Sequence, residues 1–513
     1  MKTSFYQLLL LISTVVLASC GGGGSSAPNW TSGVFEPEEN FKDFCEVPRN
    51  DNNFDDQQGS TLLENFWLRS WSNNTYLWYD EISDQDPGLF DTTLSYFREL
   101  KTNVLTSSGN PKDRFHNTLP TEEWLALNQA GVSAGYGAGF KVISGLPPRE
   151  IVVTFTEGGS PASAASLTRG ATILTIDGVD VENGSDVNTL NAGLFPSAAG
   201  ESHQFTVLDQ DSNVPRDITL VSANITSDPV PIVSTITAGA DKIGYLLFNS
   251  HIATAEAELV FAIDDLVADN VSDLILDLRY NGGGLLAIAS QLGYMIAGPT
   301  ASNGLIFETL AFNDKHTVTN PVTGDPITPT PFIDTTVGFS LAEGQSLPSL
   351  GLSRVFVLTT DSTCSASEAI INGLRGIGLQ VIMIGDTTCG KPYGFYPTDN
   401  CGTTYFTIQF RGENELGFGD YSDGFSPSNT QGVKGEVVEG CSVADDFSRQ
   451  LGDEQEGMIA AALNYRTSSV CPAPAFKAVA RSPLSVADES LRLSMKAPGK
   501  RILENRFMTL SGQ

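Results

Sequence analysis

The chain has 513 residues, enough for two or three domains rather than one. Its 41% hydrophobic content fits a globular protein, and 50 glycines with 26 prolines call for many turns. Sixty acidic side chains against 29 basic ones leave a formal charge of −31. That balance argues against a basic surface for nucleic acid or anionic lipid and reads as a solubilising one.

Residues 1–19 have the layout of a secretory signal: Lys2, then an apolar run from Leu8 to Ala18 that is short for a bilayer span. The ending Leu17-Ala18-Ser19-Cys20 resembles a bacterial lipobox, which implies lipidation of Cys20 and attachment to a bacterial membrane. The expected location is the cell envelope, on the outer membrane or the periplasmic face. Residues 20–35 open on GGGGSSAPN, a flexible tether. Residues 36–125 read as a partly helical segment, with STLLENFWLRSWSNNTYLWYDEI and TTLSYFRELKTNVL spacing apolar groups at helical intervals. Residues 126–230 change to short β runs separated by Gly, Pro and Asp, with SPASAASL as a short helix between two of them. Residues 231–472 read as an α/β core in which GYLLFN, DLILDL, RVFVLT and QVIMIG are compact strands with helix-length segments between several of them. Residues 473–513 read as a turn-rich, loosely ordered tail.

Besides Cys20 there are six cysteines, an even number that favours disulfides in an exported chain. Cys389 and Cys401 flank an apparent turn and are expected to pair. The spacing lacks the paired Cys-x-x-Cys and His-x-x-x-His patterns of a zinc site.

The chemistry centres on TCSASE. Ser365 follows the strand RVFVLT and precedes a helix with Ala366, Ala369, Ile370 and Leu374 on it. A helix N-terminus at the carboxyl end of a strand offers free amides and a positive dipole end to a developing oxyanion. Ser365 and Glu368 also form the Ser-x-x-Glu of an ordinary capping box, so these residues alone leave cap or nucleophile open. NGGG, from Asn281 to Gly284, follows a buried strand and would let a backbone amide approach a substrate carbonyl. None of the four histidines lies in a GxSxG elbow or another recognisable triad setting.

DLRYNGGG, TCSASE and TTCGK stand in the order found in the carboxyl-terminal processing peptidases, or tail-specific proteases, and the middle region is similar to a PDZ domain. GYGAGF (Gly135–Phe140) resembles the PDZ loop that receives a peptide carboxylate, GSPASAASLTRGATILTIDGVDV the family's helix-then-strand segment, and KDRFHNTLPTEEWLAL the stretch before the PDZ module. The likeness spans roughly residues 90–430. It implies an α/β core of the ClpP/crotonase type with an inserted PDZ-like β-rich domain and an N-terminal helical segment. It maps the nucleophile to Ser365, the base to Lys391 and the oxyanion hole to Gly282 or Gly283 with Ala366. Peptide binding falls to Gly137, Ala138, Gly139 and Phe140. Glu368 is a third polar group of the site. The implied partners are proteins or peptides with accessible C-termini, with no metal, no organic cofactor and no nucleic acid. A lysine amine starts near pKa ~10.4, so a base working near 7 needs a drop of about 3 units.

Several residues depart from the family pattern. Lys391 precedes Pro392 where Lys-Gly is usual, the Ser–Lys spacing is one residue longer, and Gly376 replaces an acidic residue. Cys364 beside the nucleophile is unusual. His116 and His251 are the alternative bases, because distant relatives use a histidine from outside this segment. The rival function is a catalytically inactive, PDZ-type peptide-binding lipoprotein.

Overall fold

The computed structural model describes residues 28–433, 435–472, 492–493 and 506–507. The expected signal segment, Cys20 and most of the tether lie outside the described residues. Among those described, no helix is long and apolar enough to cross a membrane.

Helix α1 (Thr61–Thr75) starts at Ser60, whose hydroxyl accepts the Leu63 amide as an N-cap. Its Phe66, Trp67 and Trp71 pack with Phe41, Tyr96, Phe97 and Tyr405. The second expected helix shrinks to Thr93–Phe97. Tyr96 and Phe97 are already buried there, and the chain turns so that the Thr102 amide reaches the Tyr76 hydroxyl. Helix α2 (Thr121–Ala130) follows.

The β-rich region opens with β1 (Val132–Gly135), which pairs with Ala223–Thr226. Its main sheet contains β2 (Ala138–Ser144), β3 (Glu150–Thr156), β4 (Thr172–Ile176), β5 (Ser202–Leu208) and β6 (Arg216–Val221). The order is β6-β5-β4-β3-β2, antiparallel throughout, so β2 is an edge strand. Helix α3 (Val187–Leu194) buries Leu190 and Leu194 in the same apolar cluster as Val142, Val153 and Ile173.

The core sheet runs in chain order: β7 (Ile232–Ala238), β8 (Asp241–Leu247), β9 (Asp273–Asp277), β10 (Arg354–Thr359), β11 (Gln380–Gly385) and β12 (Gly440–Ser442). Only the β7–β8 pair is antiparallel. Alternation along the strands sends Leu274, Leu276, Val355, Val357, Val381 and Met383 to one face. There they meet α4 (Ala255–Ala268), α5 (Leu286–Ser302) and α6 (Ala366–Gly376). Ile275, Phe356, Leu358, Ile382 and Ile384 point the other way, onto α7 (Gly457–Ser468). Strands buried on both faces explain why DLILDL and RVFVLT read as nearly continuous apolar runs.

Candidate active site

Strands β9, β10 and β11 are parallel neighbours, so the loops leaving their carboxyl ends lie side by side. Those loops are NGGG, TCSASE and TTCGK. Hydrogen bonds join them directly. The Asn281 carbonyl accepts the Cys364 amide at 3.1 Å and the Ser367 hydroxyl at 3.0 Å. The Thr363 carbonyl accepts the Cys389 amide at 3.0 Å. A disulfide between Cys364 and Cys389 closes the same junction covalently.

Ser365 is fully buried and holds φ +61°, ψ −113°, a region that side chains with a Cβ rarely occupy. Such a conformation costs of order 1–3 kcal/mol and persists only where the surroundings impose it. Glu368 is part of what imposes it. Its Oε2 accepts the Ser365 amide at 2.8 Å and the Lys391 amide at 2.8 Å. Its Oε1 accepts the Gly390 amide at 2.8 Å and the Thr388 hydroxyl at 2.5 Å. One carboxylate oxygen therefore holds the main chains of both predicted catalytic residues. Burial pushes the Glu368 carboxyl pKa up, and these four donors oppose that shift.

Lys391 is fully buried, with Nζ 4.4 Å from the centre of the Phe115 ring and 5.1 Å from that of Phe395. Taking water from an ammonium disfavours its charged form, and the two ring faces return part of the cost. Pro392 is accommodated because its carbonyl, not an amide, makes the local ladder contact, accepting from Gly412 at 2.9 Å.

The two glycines expected at the oxyanion hole separate in role. The Gly283 amide donates to Asn281 Oδ1 at 3.0 Å, which occupies that donor. A Cβ on Gly283, where φ is +111°, would lie 2.9 Å from the Ala366 nitrogen. Gly283 thus keeps open the space before the Ala366 amide, the first helical residue of α6, whose N–H has no acceptor within its own helix. Gly282 remains as the NGGG amide for a second donor. At Gly376, a Cβ would fall 2.9 Å from Asn414 Cβ, so this chain has no room there for the acidic side chain of some relatives.

The side chains of both candidate histidines are buried and held neutral by desolvation, His116 to a pKa of about 4 and His251 to about 3. His116 is committed at both ring nitrogens, to the Phe97 carbonyl at 2.7 Å and Thr407 Oγ1 at 3.1 Å. His251 Nδ1 faces Asn281 Oδ1 at 2.9 Å, and its main chain brackets Gly283 and Leu285.

The expected Cys389–Cys401 bridge is not formed. Cys401 pairs with Cys45, and Cys441 pairs with Cys471. The cause is local. The hairpin around Cys401 faces the N-terminal segment, where Asn400 accepts the Asp43 amide and Asp399 pairs with Arg49. The loop carrying Cys389 instead returns to TCSASE. Cys364, Glu368 and Cys389 offer ligand atoms within 4.8 Å of one another, but the disulfide removes both thiolates from a metal.

Gly137 precedes the edge strand β2, and Ala138 to Phe140 are its first residues. Gly137, at φ +72°, packs against Ser160, which a Cβ there would meet at 2.3 Å. The next residue on β2, Lys141, forms an ion pair with Asp361, four residues before Ser365. The sequence reading missed a second connection. Arg169 in the β-rich region is buried and donates to Asp445, to the Tyr280 hydroxyl and to the Asp446 carbonyl. Arg279, fully buried, pairs with Asp277, Asp445 and Glu456. The available signal was a charged Asp-Leu-Arg at the end of an otherwise apolar strand, which must find partners when buried.

The chain is 26% identical over 287 residues to a carboxyl-terminal-processing protease of Picosynechococcus, covering 54% of this chain and 60% of the relative. It is 26% identical over 297 residues to the chloroplastic C-terminal processing peptidase of Tetradesmus obliquus, covering 54% and 56%. The chain thus spans under two thirds of the curated relatives it matches. The fold is similar to that of a Bacteroides fragilis structure described as a candidate S41 protease, with TM-score 0.56, 23% identity, and 79% and 97% of the two chains covered. Residues 242–395, which contain the NGGG turn, Ser365 and Lys391, match peptidase family S41.

Proposed function

We propose that this protein is a serine endopeptidase that cleaves protein substrates outside the cytoplasm. Ser365 Oγ attacks a peptide carbonyl and Lys391 Nζ takes its proton, then returns it to the leaving amine. The Ala366 amide, with that of Gly282, stabilises the oxyanion. Glu368 acts as a positioning residue, since four donors already occupy its carboxylate. The observation that carries this reading is the shared hold of Glu368 Oε2 on the Ser365 and Lys391 amides, with Ser365 fixed at φ +61°.

The β-rich region, residues 126–230, fits a PDZ-like module that takes a substrate's C-terminal tail along edge strand β2, with Gly137 to Phe140 at its carboxylate end. Three disulfides among the described residues support an oxidising compartment, consistent with export and anchoring through Cys20.

Ser365→Ala and Lys391→Ala, each assayed on an unstructured protein, test the dyad. Each is expected to lower turnover at least ~1,000-fold, about 4 kcal/mol of barrier. Cleavage at the unaltered rate by both variants would sink the assignment. The edge position of β2 among the described strands favours one rival, a peptide-binding module without catalysis. Binding of C-terminal peptides with no cleavage by the unaltered protein would select it.

A further inference from the structure

A strand from the segment after α7 lies in the candidate catalytic cleft. Arg506–Phe507 pairs in parallel with Gly284–Leu285, in the register Gly284 to Arg506 and Leu285 to Phe507. On its other side it pairs in parallel with Tyr393–Phe395, in the register Gly394 to Arg506 and Phe395 to Phe507. One flanking strand begins at the last glycine of NGGG, next to Gly283, where an added Cβ would lie 2.9 Å from Ser365 Cβ. The other begins two residues after Lys391. The space between the two predicted catalytic elements is therefore a slot for one extended peptide, lined on both sides by strand edges.

The same segment has a second anchor. Leu493 is 1% exposed within the apolar cluster of the β-rich region, and its amide donates to the Gly145 carbonyl at 3.0 Å. The 13 residues from there to Arg506 can reach at most roughly 45 Å. The strand is thus tethered near its slot, and a short tether gives a local concentration in the millimolar range.

We propose that the Arg506–Phe507 strand is a built-in occupant of the peptide-substrate slot, so that the chain inhibits itself in cis. This rests on the reading of the cleft as a peptidase site. A substrate strand must displace it before its carbonyl can meet Ser365. The contact is made by the backbone, so it takes extended peptide of varied sequence.

The test uses the full chain carrying Arg506→Pro and Phe507→Pro together. Two prolines remove the strand's N–H donors and leave Leu493 in place. Against an unstructured protein substrate, kcat/KM is expected to rise at least ~10-fold, mainly through a lower KM, as for removal of a competitive occupant. A peptide of sequence RILENRFMTLSGQ, residues 501–513, is expected to inhibit the double variant competitively. Equal kcat/KM for the two chains, with no inhibition by the peptide, overturns the inference and leaves the peptidase reading intact. If neither chain cleaves, the peptidase reading fails. Fluorescence anisotropy then decides the slot separately, with labelled peptide and the double variant also carrying Ser365→Ala. Binding supports the occupant and its absence removes it.

Discussion

Among the described residues, two basic side chains, Arg279 and Lys391, are completely buried, and their surroundings differ. Arg279 is enclosed by the carboxylates of Asp277, Asp445 and Glu456. The ammonium of Lys391 lies against the rings of Phe115 and Phe395. A guanidinium keeps its charge at any working pH, so carboxylates around it make a permanent brace. A lysine amine can give up its proton when desolvated, which is what a base requires. One charge holds the strand end that leads into NGGG, and the other belongs to the proposed chemistry.

Methionine substitutions break this comparison most sharply. Lys391→Met is expected to lose at least ~1,000-fold in turnover and less stability than Arg279→Met, because methionine keeps a side chain of similar length against Phe115 and Phe395 while removing the amine. Arg279→Met strands carboxylates facing one another and is expected to cost about 3–5 kcal/mol of stability by urea unfolding. If the two variants lose stability equally, the distinction between brace and base is wrong.

The next effect is smaller and concerns the junction between the catalytic loops. Replacing Cys364 and Cys389 by serine opens a loop of sequence separation 25 and is expected to cost roughly 3 kcal/mol. Turnover should fall with it, since the bridge joins the residue before Ser365 to one near Lys391. Full turnover in a folded double variant would show that Glu368 and the backbone bonds suffice.

A further effect is in pH dependence. His116 and His251 have folded pKa values of about 4 and about 3, below the usual ~6.5 of the unfolded chain. Below pH ~6.5 the unfolded state therefore binds more protons. Stability is full above that pH and falls as pH drops towards 4, by up to about 1.4 kcal/mol per unit for each histidine. His116→Gln should flatten the slope of the urea midpoint against pH. Equal slopes in the two proteins would count against neutral burial of His116.

Legibility in the sequence followed the range of each interaction. The strand Asp273–Asp277, the helix Ala366–Gly376 and the Glu368 back-cap of Ser365 are local, and short patterns signalled them. The cysteine pairing was read wrongly because Cys401 bonds to a partner 356 positions away, which turn composition cannot report. The helix expected over TTLSYFRELKTNVL was cut short by tertiary contacts of Tyr96, Phe97 and Thr102.

By itself the sequence singled out the residues proposed to carry the chemistry and their order along the chain: an NGGG turn, a serine at a helix start and a lysine after the next strand. Periodicity and turn composition encode such features within a few residues. Only the tertiary structure decided that three adjacent parallel strands bring those loops together and that one carboxylate holds both key amides. It also decided that the Gly283 amide is taken by Asn281 Oδ1 while its lack of a Cβ leaves space beside the Ala366 amide, and that Arg506–Phe507 lies between the strands flanking the proposed site. Those facts depend on register and on groups far apart in the chain, which no local pattern records.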